Sequence, residues 1–262
     1  DTWLLWMEDL HERIARLDDP RLIVPTGNYA LYALTGKGKV PWHSKDGKSS
    51  RPGILAWRGS ILSYRDRRGR ILKVLPTPHP AATFPGRDPG LEPICKRDWH
   101  RIAVESQSKE VDLPIRTHLI SPSMSDLEFL VKICEAATDT DVLVMDIENP
   151  REKDGSAPIV CVGFSLTSDL SVTIPTVKSY WGKQLDAVWE TIRYLCSLPV
   201  HKGAWNNFHE QYWMWAEREI VIENLWWDGL YMHHVLDPSA PHSLAFCASV
   251  DTREPYWKDE AK

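Results

Sequence analysis

The sequence predicts an α/β fold class: a mixed sheet with packed helices in the second part of the chain, and a smaller α/β portion before it. Three observations carry this. From about residue 142 onward, apolar runs read in the order strand, strand, strand, helix, strand, helix. Residues 21–34 read as a strand followed by a helix, with Gly36 and Gly38 ending it. A polar stretch over 105–117, without apolar periodicity, separates the two portions and is expected to be a linker.

Taken in order, Trp3, Trp6, Met7, Leu10, Ile14 and Leu17 recur at helical spacing until Asp18-Asp19-Pro20 stops the run. Residues 21–25 are expected as a short buried strand, and Thr26-Gly27 as a tight turn into a helix from Asn28 to Leu34. The Gly-, Lys- and Ser-rich residues 37–53 read as a surface loop. Strands are expected near Ile54–Trp57, Ser60–Tyr64 and Ile71–Leu75, then a short helix from Asp98-Trp99 to Val104. Beyond the linker, Ser125-x-x-Glu128 reads as a capping box that opens a helix through Leu127, Leu130, Val131 and Cys134. Strands follow at Val142–Glu148, Ile159–Ser165 and Leu170–Ile174, then an amphipathic helix through Leu185, Val188, Trp189, Ile192, Leu195 and Cys196. A strand at Val200–Trp205 and helices from Phe208 and Asp228 complete the pattern.

Composition narrows the function classes. A hydrophobic fraction of 43% and a charged fraction of 26% suit an ordinary globular protein. No run of about 18 apolar residues occurs, so no membrane span and a cytoplasmic location are expected. The chain opens on Asp1 and closes on a charged, patternless run to Lys262, so both ends read as cut from a longer protein. Five scattered cysteines without a Cys-x-x-Cys pair argue against a disulfide framework or a zinc site. Charge divides unevenly. Residues 1–104 carry 18 Lys and Arg against 11 Asp and Glu, whereas residues 105–262 carry 13 against 25. A basic part beside an acidic part suits a protein that holds phosphates with one and metal ions with the other, or two domains of different surface charge.

The chemistry-bearing residues are carboxylates. In a strand, positions i and i+2 face the same side, so Asp146 and Glu148 project together from the end of an apolar strand. Paired carboxylates repel one another unless a cation joins them, and Mg²⁺ favours such oxygen ligands. Taken alone, Asp-x-Glu is also compatible with a strand ending in a polar turn at Asn149-Pro150. Lys202-Gly-Ala-Trp-Asn206-Asn-Phe-His-Glu210 sets Asn206 and Asn207 at a strand end and a third carboxylate in the first turn of the next helix. Equally, Asn206 or Asn207 is a helix cap and Glu210 complements the helix dipole.

Together these stretches resemble the first two motifs of the DEDD exonuclease superfamily, as found in the 3′→5′ proofreading domain of phage-like family A DNA polymerases. Asp146 and Glu148 match its Asp-x-Glu; Asn206, and imperfectly His209 and Glu210, match its Asn-x-x-aromatic-Asp. Residues 227–238, followed by Pro241-His-Ser-Leu244, resemble the phage-type continuation, with Asp228 opening a helix in a supporting role. The likeness spans about residues 118–262 and implies a ribonuclease H-like fold. It also implies a two-metal Mg²⁺ or Mn²⁺ site on Asp146, Glu148 and Glu210, contact of Asn206 and Asn207 with DNA, and release of nucleoside monophosphates from a single-stranded or frayed DNA 3′ end. A polymerase domain in the same parent chain is the implied partner. Two departures stand out. The family has Asp where this chain has Glu210, an added methylene that moves a ligand by about 1.5 Å. Its third motif, Tyr-x-x-x-Asp, is expected beyond Lys262.

Residues 1–104 show a second resemblance. Leu22 to Ala30, Trp57-Arg-Gly59, Pro76-Thr-Pro-His79-Pro and Asp98-Trp99 look like part of an α/β uracil-DNA glycosylase-like domain. That likeness implies that His79 contacts a flipped uracil, while the family's Gly-rich first motif would precede Asp1. The basic run Arg58, Arg65, Arg67, Arg68, Arg70 and Lys73 is expected either to hold the phosphate backbone or to form a solvated hairpin. No cysteine precedes Cys95, so no iron–sulfur cluster is indicated. Glycosylase activity and a non-catalytic DNA-binding module are the alternatives to the nuclease. Trp189 and Trp215 are expected in the core, and His233 and His234 in structural roles.

Overall fold

The computed structural model describes residues 2–40, 52–84, 86–150 and 156–257. The chain forms two compact units, one of Asp1–Pro114 with Ser243–Lys262 and one of Ile115–His242. The last twenty residues, expected with the second portion, thus belong to the first unit.

In the first unit, helices α1 (Thr2–Arg16), α2 (Asn28–Thr35) and α3 (Ile54–Trp57) precede strands β1 (Leu62–Arg65) and β2 (Ile71–Val74) and helix α4 (Leu91–Glu105). α2 begins after Gly27 at φ +90° and ends on left-handed Gly36, as the glycine spacing requires. Residues 54–57 form a helical turn, not the expected strand, because Arg58 N–H bonds back to Ile54 O at 2.8 Å. A four-residue apolar run carries no period that separates the two. β1 and β2 pair antiparallel from Leu62↔Val74 to Arg65↔Ile71, with Asp66 accepting from the turn N–H groups of Arg68 and Arg70. Residues 21–25 make no regular strand; single parallel bridges join Ile23 to Val74 and Thr26 to Thr77. Much of the loop expected over 37–53 falls outside the described residues.

The second unit begins with β3 (Thr117–Leu119), α5 (Met124–Glu135), β4 (Val142–Glu148), β5 (Cys161–Thr167) and β6 (Leu170–Pro175). It continues through α6 (Lys178–Trp181), α7 (Leu185–Ser197), β7 (His201–Ala204), α8 (Asn207–Arg218), β8 (Leu225–Asp228) and α9 (Gly229–Leu236). The sheet runs β3-β6-β5-β4-β7-β8. β5 is antiparallel to β4 and β6, and the remaining pairs are parallel. This is the mixed α/β sheet that the sequence predicts. The capping box of α5 is Ser123 with Asp126, two residues earlier than expected, and both reciprocal bonds are present. β4 buries Leu143, Met145 and Ile147 against Leu127 and Leu130 of α5, and Val188, Ile192 and Leu195 of α7. Trp189 joins that core, but Trp215 is 58% exposed on the outer side of α8, correcting its expected burial.

Helix α10 (Leu244–Asp251) returns to the first unit. Arg58 Nη1 donates to Ser249 Oγ at 2.7 Å, and Arg101 to the Ser249 carbonyl at 2.7 Å. Gly59 is needed here, since a Cβ would lie 2.4 Å from that carbonyl oxygen. Tyr256 N–H bonds Ser60 Oγ at 3.0 Å, and its ring packs edge-on against Trp57. No described helix is long and apolar enough to cross a membrane.

Candidate functional site

The alternation of β4 puts Asp146 and Glu148 on the exposed face of the sheet, opposite Met145 and Ile147. Their cross-strand partners on β5 are Gly163 for Asp146 and Cys161 for Glu148. Gly163 leaves room beside Asp146, because a Cβ there would meet only the Asp146 carbonyl oxygen, at 3.7 Å.

Glu210 lies in the first turn of α8 and is 1% exposed, with its Oε2 lacking any hydrogen-bond partner. Burial pushes its carboxyl up to about 7, and the nearby charges of Asp146 and Asp228 add to the rise. A buried carboxylate oxygen left unpaired is costly, and a cation beside it removes that cost. The structure therefore brings Glu210 into electrostatic contact with Asp146. The oxygens of Asp146, Glu148 and Glu210 do not, among the described residues, all lie within 4.8 Å of one another.

Asp228 explains how that corner is built. Its side chain caps α9 by accepting from Leu230 and Tyr231 N–H groups, and it also accepts from Asn206 N–H at 3.2 Å and Asn207 N–H at 2.8 Å. Asn206 sits at φ +75°, a left-handed conformation that Asn tolerates better than most residues. Asn207 Oδ1 accepts from Ala204 N–H at 3.0 Å, closing the turn. The expected DNA contact by Asn207 thus meets a side-chain oxygen already engaged by the backbone. The loss of two cap interactions in Asp228→Ala is expected to lower stability by about 2 kcal/mol, read as a fall in the urea midpoint. An unchanged midpoint would show that Asp228 does not hold this corner.

The nucleic-acid contacts expected of the first unit fare differently. Arg58 is 3% exposed and pairs with buried Asp98, which also accepts from Thr77. It is a core residue, not a phosphate ligand, because a buried guanidinium persists only with such a partner. Lys73 is fully buried against Glu105 and Ser108. Arg67 reaches Glu8 and Glu12, and Arg70 binds Asp66 and the carbonyls that end α1. Much of the basic run therefore ties the hairpin to α1. His79 is exposed, accepts from Ala81 N–H at 3.1 Å, and lines a cavity of ≈ 890 Å³ with Gly27, Asn28, Tyr29 and Leu55. His233 and His234 both bond the ring of His242, at 2.8 and 2.9 Å, a partner not anticipated from the sequence.

No family model matches the chain. No curated protein matches it either. Among solved structures it is similar to the EXD2 exonuclease domain, at 15% identity over 51% of this chain and 68% of that one, with a TM-score of 0.36. Other crystals of that domain were soaked in Mn, or in Mn or Mg with GMP. It is also similar to the Nibbler EXO domain of Aedes aegypti (12% identity, 58% and 77% covered, TM-score 0.41). The catalytic core of RRP6 from Trypanosoma brucei gives 16% identity, 76% and 50% covered, and a TM-score of 0.37.

Proposed function

We propose that the unit of residues 115–242 is a divalent-metal-dependent 3′→5′ exonuclease domain of a phage-like family A DNA polymerase. Its substrate is a single-stranded or frayed DNA 3′ end, and its products are nucleoside monophosphates. The observation that supports this most is Glu210: a buried carboxylate with an unpaired oxygen, electrostatically coupled to Asp146 at the end of β4. An all-carboxylate donor set of Asp146, Glu148 and Glu210 fits Mg²⁺ or Mn²⁺, which take oxygen ligands. Bound there, such ions supply Lewis acidity and a water nucleophile at neutral pH. The chain's own residues hold the charge balance. Glu210 would hold a bound cation as the ionised carboxylate, and Asp228 fixes the turn that sets Glu210 and Asn206 in place.

The test is a 5′-labelled single strand incubated with the protein across a range of Mg²⁺ and Mn²⁺ concentrations. Stepwise shortening that requires Mg²⁺ or Mn²⁺ is expected; an intact strand at every metal concentration overturns the reading.

The His79 cavity favours a second reading for the first unit, namely that it holds a base flipped from the helix, as the glycosylase-like resemblance implies. Release of free uracil from uracil-containing DNA without metal, lost in His79→Ala, is its signature.

A further inference from the structure

The corner that carries Asn206, Glu210 and Asp228 is closed by contacts that helix capping alone does not supply. β8 enters it through a bulge: Lys202 pairs with Leu225 but Gly203 pairs with Trp227, so Trp226 is the extra residue. That shift sets Asp228, not Trp227, opposite Ala204. The two strands approach closely because Gly203 lacks a side chain. A Cβ on it would lie 3.0 Å from Trp227 Cβ and 3.1 Å from the Trp227 carbonyl oxygen.

Trp205 follows Ala204, Gly229 follows Asp228, and the two meet. A Cβ on Gly229 would lie 2.5 Å from Trp205 Cε3 and 2.8 Å from Cζ3, so the indole rests on the glycine that starts α9. The other end of the ring is fixed too. Its Nε1 donates to the His242 carbonyl at 3.1 Å, and the His242 ring is itself bonded to His233 and His234. Trp205 thus ties the end of β7 to α9 and to residue 242 of the same unit. Asp228, beside Gly229, accepts from the Asn206 and Asn207 N–H groups, and Asn207 opens the helix that buries Glu210. A site keeps its geometry when the side chains behind it are locked by packing and hydrogen bonds in this way.

We propose that Trp205 and Gly229 are a positioning pair for the carboxylate corner: the indole, seated on Gly229, fixes the turn at Asn206 and Asn207 and through it the place of Glu210. The proposal rests on reading Glu210 as a cation ligand.

The experiment is a cycle on the 262-residue chain, with Trp205→Ala, Gly229→Ala and both together, read in two ways. Hydrogen exchange of the Asn206 and Asn207 amides, followed by NMR, reports the turn without metal. Water proton relaxation reports Mn²⁺ affinity. Gly229→Ala drives a methyl group into the indole, and Trp205→Ala removes the indole. Each is expected to speed both amides by about tenfold or more, and to weaken Mn²⁺ binding by about tenfold, as loss of a residue behind a metal ligand does. Both act through one contact, so the double variant is expected to be no worse than Trp205→Ala alone. Trp205→Phe, a milder lesion that loses the indole N–H, should shift both readouts the same way by less, and it decides the matter if a harsher variant does not fold. Trp215→Ala, on the exposed side of α8, should change neither. Unchanged exchange in the single variants, effects that simply add in the double, or wild-type Mn²⁺ affinity despite faster exchange overturns the proposal. A wild type that binds no Mn²⁺ counts against the metal reading, while the exchange rates still decide whether the pair holds the turn.

Discussion

Glu210→Gln is expected to remove a pH dependence of stability worth roughly 3 kcal/mol in metal-free protein. The carboxyl titrates near 4.5 when free and at about 7 when folded, chiefly because burial penalises the charged form. A folded pKa raised in this way makes the neutral carboxyl a source of stability that is fully present below about pH 4.5. That contribution falls away as pH rises through about 7, where the folded state must also ionise. Gln stays neutral throughout, so the variant should be the more stable protein at pH 8 without metal, and near parity at pH 4.5. Mg²⁺ or Mn²⁺ should reverse the order at pH 8, since a cation favours the ionised wild-type side chain. Urea midpoints across pH 4.5–8, with and without metal, provide the measurement; parallel profiles for the two proteins would refute the buried-carboxylate account.

Asp146→Ala carries the largest expected effect on activity. It removes the strand carboxylate that couples to Glu210, and metal-dependent shortening of DNA should fall by about 10²- to 10³-fold, the scale seen when one charge-stabilising group is lost. Stability should move the other way. Taking away a like charge near Glu210 lets its carboxyl ionise more easily, so the metal-free variant should lose less stability than the wild type on going from pH 5 to pH 8. A variant that keeps near-wild-type nuclease rates would place the chemistry elsewhere.

Much of this site was legible in the chain. The alternation of Val142–Glu148 put both carboxylates on one face, and the structure keeps the strand to the residue. Asp228 was legible as a helix start, because a capping aspartate before an apolar run is a local signal. What stayed hidden was non-local. Nothing near Arg58 in sequence announces Asp98 or Ser249, so its burial was not foreseeable from its own basic neighbourhood. The short strands Thr117–Leu119 and Leu225–Asp228 are too brief for a period-2 signal and exist because neighbouring strands offer them an edge. Glu210 was visible as a residue, but its significance depends on its burial beside Asp146, which a sequence does not contain.

The discontinuous first unit sets an order of events during synthesis. Residues 1–114 leave the ribosome before residues 243–257, yet the face around Gly59, Ser60 and Trp57 is finished only by α10 and Tyr256. The intervening 115–242 carries its whole sheet and can close as soon as it is clear of the exit tunnel. Of the two units, the one begun earlier is therefore completed later. While residues 115–242 are being made, the first unit carries an open seam around Gly59 and Trp57.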